Sequence, residues 1–483
     1  MRRNLLTALL LLLLAAPALQ AQVRYLDEIY TTVQVDSNVV YGKNYGFLTN
    51  FNTLQNLKMD VYQAVGDTGT HRPVVILMHA GSFLPGSVTG FYDFSYKDEN
   101  CMVEMCKRFA KRGWLAVSMT YRLGWNPTSP DADVRASTII NAVYRAEQDV
   151  KNCVRYFRST YTDSANKWGI DGNKFVLGGT NSGAYVALAA GNLNKPAELV
   201  LPKFLDNMGN SFVDTTKTGN FDGFGGTQNY DNFAGISSAF SCVLSLGGAV
   251  ADTSFIEVGE PPVIAFQGAQ ETLTPYNTAV VQTTTLQSVI EVSGSGDFMP
   301  VVDARGLNSG FTPNTFGGTP LNHDASFASR PAVDGLFPFY GQAFEPWSWY
   351  NGPNPAVNST ASQPKAMLYI DTIMGYSLPR LYKLLYDPSF GEPSAIHEVK
   401  GSIEMQVYPS PANAQLNITI NSLQKPLQTL RVLDLTGRLV METSSLNGYT
   451  QSLNVSALPQ GAYLLQVSLT DGTTGTRRFS VQR

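Results

Sequence analysis

Phe175-Val-Leu-Gly-Gly-Thr-Asn-Ser-Gly-Ala184 is the stretch that decides the fold of this chain. Phe175 to Leu177 is a short apolar run, glycines follow at once, and Ala184 to Ala190 is alanine-rich and helix-like. A buried strand that turns sharply on glycine into a helix is the basic step of an α/β sheet. Gly179 and Gly183 bracket the turn, and the residue midway between them is Asn181.

The same alternation extends to both sides. Val74–Met78 and Trp114–Met119 are continuous apolar runs, as expected of strands covered on both faces of a parallel sheet. Met102–Arg112 has helical spacing, and Ala136–Phe157 reads as a long amphipathic helix with Ile140, Val143, Val150 and Val154 on related turns. Ser241–Leu246 and Val263–Phe266 add two strands, and a helix-like stretch, Ala366–Tyr386, closes the region. The pattern predicts an α/β fold with a doubly wound, mostly parallel sheet. The Gly-, Asn- and Thr-rich stretches 207–235 and 305–360 are long for plain connections and read as loops over the mouth of a site.

Four segments follow from this reading. Residues 1–21 have the form of a signal peptide: Arg2 and Arg3, the apolar run Leu5–Ala16, then small residues to Ala21. Residues 22–390 form the α/β domain and 391–403 a linker. Residues 404–483 alternate with period two between turns, which predicts a small all-β, Ig-like sandwich. No stretch after the leader is long and apolar enough to span a bilayer. The 483 residues carry a net charge of −4 and no basic block, which argues against nucleic acid as a partner. No metal-ligand spacing, phosphate loop or dinucleotide fingerprint is evident, so no cofactor is expected. Export permits disulfides, and Cys101, Cys106, Cys153 and Cys242 allow three pairings among which the sequence does not choose.

The tail carries four motifs in order: Tyr408-Pro-Ser-Pro-Ala412, Leu433-Asp-Leu-Thr-Gly-Arg438, Leu458-Pro-Gln-Gly-Ala-Tyr463 and Arg477-Arg-Phe-Ser-Val481. In these it resembles the C-terminal sorting domain of the type IX secretion system of Bacteroidetes. That resemblance implies dealings with the secretion machinery, export across the outer membrane, removal of the tail, and release or anchoring at the cell surface.

The larger domain resembles secreted carboxylesterases of the α/β-hydrolase superfamily. His79-Ala-Gly-Ser-Phe83 resembles the loop whose backbone N–H groups stabilise a developing oxyanion. The resemblance makes Gly81 and Ser82 donors, joined by the N–H of Ser182. Pro261–Pro275 resembles the strand and loop that supply a triad acid, with Glu271 at the acid position. The chain has four histidines, His71, His79, His323 and His397. Of these His323 is left as the base, in the chain order nucleophile, acid, base. Asp297, in Gly294-Ser-Gly-Asp297, is a rival register in which the histidine is lost.

Phe175–Ala184 then reads as the family's nucleophile elbow, Gly-x-Ser-x-Gly, with Asn181 at the centre. Two other registers stay open, with Ser182 or Thr180 as nucleophile. An asparagine amide is no nucleophile at neutral pH, but it donates and accepts hydrogen bonds and tolerates strained turns. The resemblance therefore implies an exported hydrolase of carboxylic esters. The alternative is a relative that kept the pocket, lost the nucleophile and binds a small-molecule or polymer ligand at the cell surface. A structural or adhesion protein is the third class.

Overall fold

The computed structural model describes residues 22–90, 95–271, 273–283, 285–313, 316, 333–339, 363–390, 405–420, 426–434, 438–470 and 474–482. The leader at 1–21, the linker at 391–403 and His323 lie outside the described residues. The chain divides into two compact units, Met1–Gly391 and Glu392–Arg483.

In the first unit the strands are β1 (Val33–Tyr45), β2 (Leu54–Ala64), β3 (Arg72–Met78), β4 (Leu115–Met119), β5 (Ile170–Thr180), β6 (Cys242–Leu246), β7 (Ala249–Val250), β8 (Val263–Gly268), β9 (Ala279–Gln282), β10 (Ser288–Gly294) and β11 (Leu336–Phe339). The longer helices are α1 (Asn100–Lys111), α2 (Ala132–Asp163), α3 (Ser182–Asn192), α4 (Ser295–Ala304) and α5 (Gln363–Leu385). Among the described residues, one sheet has eight strands in the order β1-β2-β4-β3-β5-β6-β8-β11. β1, β2 and β4 pair antiparallel, and every pairing from β4 through to β11 is parallel. A separate three-stranded sheet, β7-β10-β9, is antiparallel.

β3 shows why the parallel strands read as unbroken apolar runs. Val74, Ile76 and Met78 join the core under α2, α3 and α4, whereas Val75 and Leu77 join the core under α1 and α5. Alternate side chains leave opposite faces of a strand, so a sheet covered on both sides has no polar positions to spare. Truncating one such side chain, Ile76→Ala for example, costs about 2–5 kcal/mol. α2 starts at Asp131, whose carboxylate accepts from Asp133 N–H at 2.9 Å, and it runs without glycine or proline to Asp163. Its buried Asp149 accepts from the backbone and side chain of Arg122 at 2.8 and 2.9 Å and so ties α2 to the end of β4.

Stretch 207–235 does not owe its place to the turn at Asn181. Its carbonyls Thr218, Gly219 and Asn220 accept from Gln148 and Tyr144 of α2, and Asn229 and Asn232 bond Asn44 and Lys43 of β1. All four cysteines are buried, and none is in a disulfide.

The second unit holds β12 (Met405–Tyr408), β13 (Gln415–Ile420), β14 (Leu427–Asp434), β15 (Leu439–Ser444), β16 (Thr450–Asn454), β17 (Gly461–Leu469) and β18 (Thr474–Val481). They form two sheets, β12-β13-β16 and β15-β14-β17-β18, around one apolar core that includes Leu416, Ile418, Val432, Leu465 and Phe479. Tyr463 donates from its hydroxyl to Pro459 O at 2.8 Å and ties a corner of the second sheet. Because each unit has its own core, a chain ending at Gly391 is expected to unfold in urea at the same midpoint as the first unit of the full chain. A lowered midpoint in the truncated chain would mean that the units share stability.

Candidate active site

The site lies where β3, β5 and β8 end, at the carboxyl edge of the parallel strands. β5 passes into α3 through Asn181, which has φ 46° and ψ −116°. A positive φ is costly for a residue with a Cβ, and asparagine bears it better than most. The flanking glycines are demanded by contact. A Cβ on Gly183 would stand 2.2 Å from Met78 O, and one on Gly179 would stand 2.5 Å from the Gly183 carbonyl carbon.

The three side chains at the turn are each engaged. Asn181 Oδ1 accepts from Ser182 N–H at 2.8 Å, and Asn181 Nδ2 donates to Thr274 Oγ1 at 3.3 Å. Ser182, 1% exposed, has its hydroxyl 3.1 Å from that of Tyr121. Thr180, fully buried, donates to Glu99 Oε1 at 2.9 Å. Burial raises the Tyr121 phenol above its ordinary range, so it is no base for Ser182.

The loop after β3 turns through three successive positive φ values, 105° at Gly81, 53° at Ser82 and 58° at Phe83. Its carbonyls are bonded one by one. His79 O accepts from the Tyr121 hydroxyl at 2.8 Å, Ala80 O from His79 Nδ1 at 2.7 Å, and Gly81 O from Leu84 N–H at 2.9 Å. Ser82 O accepts from the Trp125 indole at 2.8 Å and Phe83 O from Gly124 N–H at 2.7 Å. Gly81 N–H and Ser82 N–H have no such partner among the described residues, which leaves two adjacent donors for an incoming oxygen. The His79 ring stacks on Tyr121 at 4.5 Å between centroids and is fully buried, so it braces the loop.

Glu271 follows β8 and is 7% exposed. It comes close to Asn181 through Thr274, whose backbone N–H bonds the Glu271 carboxylate and whose hydroxyl bonds Asn181 and Tyr185. Gln267 braces this loop by donating to Thr274 O and Pro275 O, both at 3.0 Å. Among the described residues Glu271 Oε2 is buried without a hydrogen-bond partner, and burial pushes its carboxyl well above the usual carboxylate range. The folded state therefore holds this proton at pH values where the unfolded chain has released it. Stability is present below the unfolded pKa and is lost as pH rises towards the folded one. Glu271→Gln is expected to flatten the fall in urea midpoint as pH rises above the ordinary carboxylate range. An unchanged slope would mean that the carboxylate is compensated.

The histidines do not complete the arrangement among the described residues. His71 is exposed at the opposite end of β3. His323 lies outside the described residues. Asn308 Oδ1 accepts from Val263 N–H, and its amide donates to Val263 O and Asp334 O. Asp297, in the first turn of α4, accepts from Thr278 N–H at 2.6 Å and so holds the β9 end of the second sheet.

Comparison with known families identifies the frame. Residues 59–222, which include the loop after β3 and the turn at Asn181, match the BD-FAE family. Residues 406–482 match the secretion system C-terminal sorting domain. The chain carries an esterase-like α/β-hydrolase domain and a secretion sorting domain. The BD-FAE match ends before Glu271. Among solved structures, the chain is similar to Thermogutta terrifontis esterase 2 with butyrate bound, at 15% identity over 73% of this chain and 96% of that one, TM-score 0.37. The propionate-bound form aligns at 16% identity over 74% and 98%, TM-score 0.36. A truncated carbohydrate esterase from gut microbiota aligns at 16% over 58% and 86%, TM-score 0.34. Among curated proteins none matches the chain. No helix among the described residues is long and apolar enough to cross a membrane.

Sequence reasoning missed Glu99, Tyr121, Trp125, Thr274 and Tyr185. Only Tyr121 and Trp125 had a signal, their place just after an apolar strand; the others become relevant through contacts far apart in the chain.

Proposed function

We propose that the esterase-like domain is an exported protein that holds a carboxylic ester or carboxylate at the Asn181 turn without cleaving it. The observation that carries this reading is the apex itself. Its side chain is an amide, and that amide already occupies Ser182 N–H, one of the three expected oxyanion donors. Gly81 N–H and Ser82 N–H remain to receive a carbonyl or carboxylate oxygen. Hydrolysis through Ser182 is the second reading, favoured by the retained acid loop that Thr274 keeps beside the turn.

The test sets binding beside turnover in the purified full chain. Butyrate, as the simplest short-chain probe, is expected to slow amide exchange in residues 79–83, while nitrophenyl butyrate is not turned over. Turnover that disappears in Ser182→Ala overturns the proposal in favour of the second reading. The sorting domain indicates export to the cell surface or the medium. A chain lacking residues 405–482 is expected to stay behind the outer membrane, as read by cell fractionation.

A further inference from the structure

One buried carboxylate joins the two halves of this site. Glu99 precedes α1 and is fully buried. Its Oε2 accepts from Ala80 N–H at 2.6 Å, and its Oε1 accepts from the Thr180 hydroxyl at 2.9 Å. Ala80 N–H is the amide immediately before the two donors Gly81 and Ser82. Thr180 is the last residue of β5, immediately before the apex Asn181. β3 and β5 are neighbours, with Met78 opposite Gly179, so the carboxylate spans the seam at the point where both strands end.

We propose that Glu99 is the positioning residue that fixes the donor loop against the turn. With the loop carbonyls drawn away to Tyr121, Leu84, Trp125 and Gly124, a tether on Ala80 N–H fixes the direction in which the next two amides face. Two donors aimed in advance at one oxygen bind it with no cost of reordering the loop. The loop needs this constraint because Ser82 and Phe83 hold positive φ values that side chains disfavour. The proposal rests on reading Gly81 and Ser82 as the ligand donors, and it holds whether the ligand is cleaved or only bound.

Three variants of the full chain test it by hydrogen exchange and by butyrate binding. In Glu99→Ala both bonds are lost, and amides of residues 79–83 are expected to exchange roughly tenfold faster or more, the scale of a lost hydrogen bond to a charged group. β8 and α2 should be unaffected, and butyrate protection of the loop should disappear. In Glu99→Gln the amide oxygen can still accept from Ala80 N–H. Its NH2 can donate to Thr180, whose hydroxyl then accepts, so loop exchange and butyrate protection are expected to stay close to the parent. Thr180→Val cuts only the turn side of the bridge, keeps the side-chain shape, and is expected to loosen the loop less than Glu99→Ala does. It serves as the decisive variant if Glu99→Ala does not fold. Loop exchange equal to the parent in both Glu99→Ala and Thr180→Val overturns the proposal. So does a Glu99→Gln protein as loose as Glu99→Ala, which would mean that charge or packing, and not the bridge, is what matters. If butyrate protects no amide in the parent, the ligand reading fails by itself, and the exchange comparison still decides the role of Glu99.

Discussion

Gly183→Ala is expected to destabilise the first unit by about 3 kcal/mol or more, the upper range for overpacking. The added carbon would stand 2.2 Å from Met78 O, 2.6 Å from Met78 C and 2.7 Å from His79 O. All three are backbone atoms of β3 or the loop after it, and no flexible side chain is there to give way. Relief would require α3 to lift from the sheet, which separates the turn from the donor loop. Gly191→Ala, on the same helix, is the control. Its nearest neighbours would be Val243 Cγ2 at 3.3 Å and Phe240 at 3.7 Å, both side chains. It is expected to change stability by no more than about 1 kcal/mol, since alanine is the better helix former. Urea midpoints measure both, with the transition of the second unit as internal reference. Equal midpoints for the two variants would mean that α3 does not press on β3 as described.

The second large expected effect is an absence of turnover. Losing the nucleophile of a serine hydrolase costs on the order of 10⁶ in kcat, and what remains comes from the oxyanion donors and binding. Here Asn181 Oδ1 also occupies Ser182 N–H, and losing one such donor costs a further factor of roughly 10²–10³. The unmodified chain is therefore expected to cleave nitrophenyl butyrate at a rate indistinguishable from buffer. Asn181→Ser frees Ser182 N–H and supplies a hydroxyl, but that hydroxyl needs a base. Among the described residues no histidine supplies it: His79 is fully buried, with Nδ1 bonded to Ala80 O, and His71 lies at the opposite end of β3. Asn181→Ser is accordingly expected to gain no more than about 10³ over buffer, the residue left by donors and binding. A gain of about 10⁶ would mean that His323 reaches Glu271 after all.

The fold was legible because the features that build it are local. Val74–Met78 and Phe175–Leu177 are apolar without interruption, and the glycines at 179 and 183 leave the room that a tight strand-to-helix turn needs. The structure extends these strands and helices by a few residues: β5 begins at Ile170 and α2 at Ala132. Polar residues fill the added turns and carry no hydrophobic period. The site was legible in outline only. Asn181, Gly81, Ser82 and Glu271 gather at one edge of the sheet, but the reason Ser182 and Thr180 are engaged is not local. Their partners, Tyr121 and Glu99, are 61 and 81 residues away in the chain and meet them only once β3, β4 and β5 lie side by side. Stretch 207–235 was legible in part for a related reason. Its composition announced a loop, but which surface it covers was written in Gln148, Asn44 and Tyr144.

The two glycines constrain the turn through backbone contact, whereas the residue between them is constrained by its φ of 46° and not by crowding from its neighbours' backbone. Selection that preserves the fold therefore asks at the apex only for a residue that bears a positive φ. In the genetic code asparagine and serine are one base apart, AAT or AAC against AGT or AGC. A gene for such a frame can exchange one for the other in a single step, in either direction, without passing through an unfolded ancestor. Alleles that differ only there would keep the same frame and the same sorting domain, and would separate most clearly when an ester was offered.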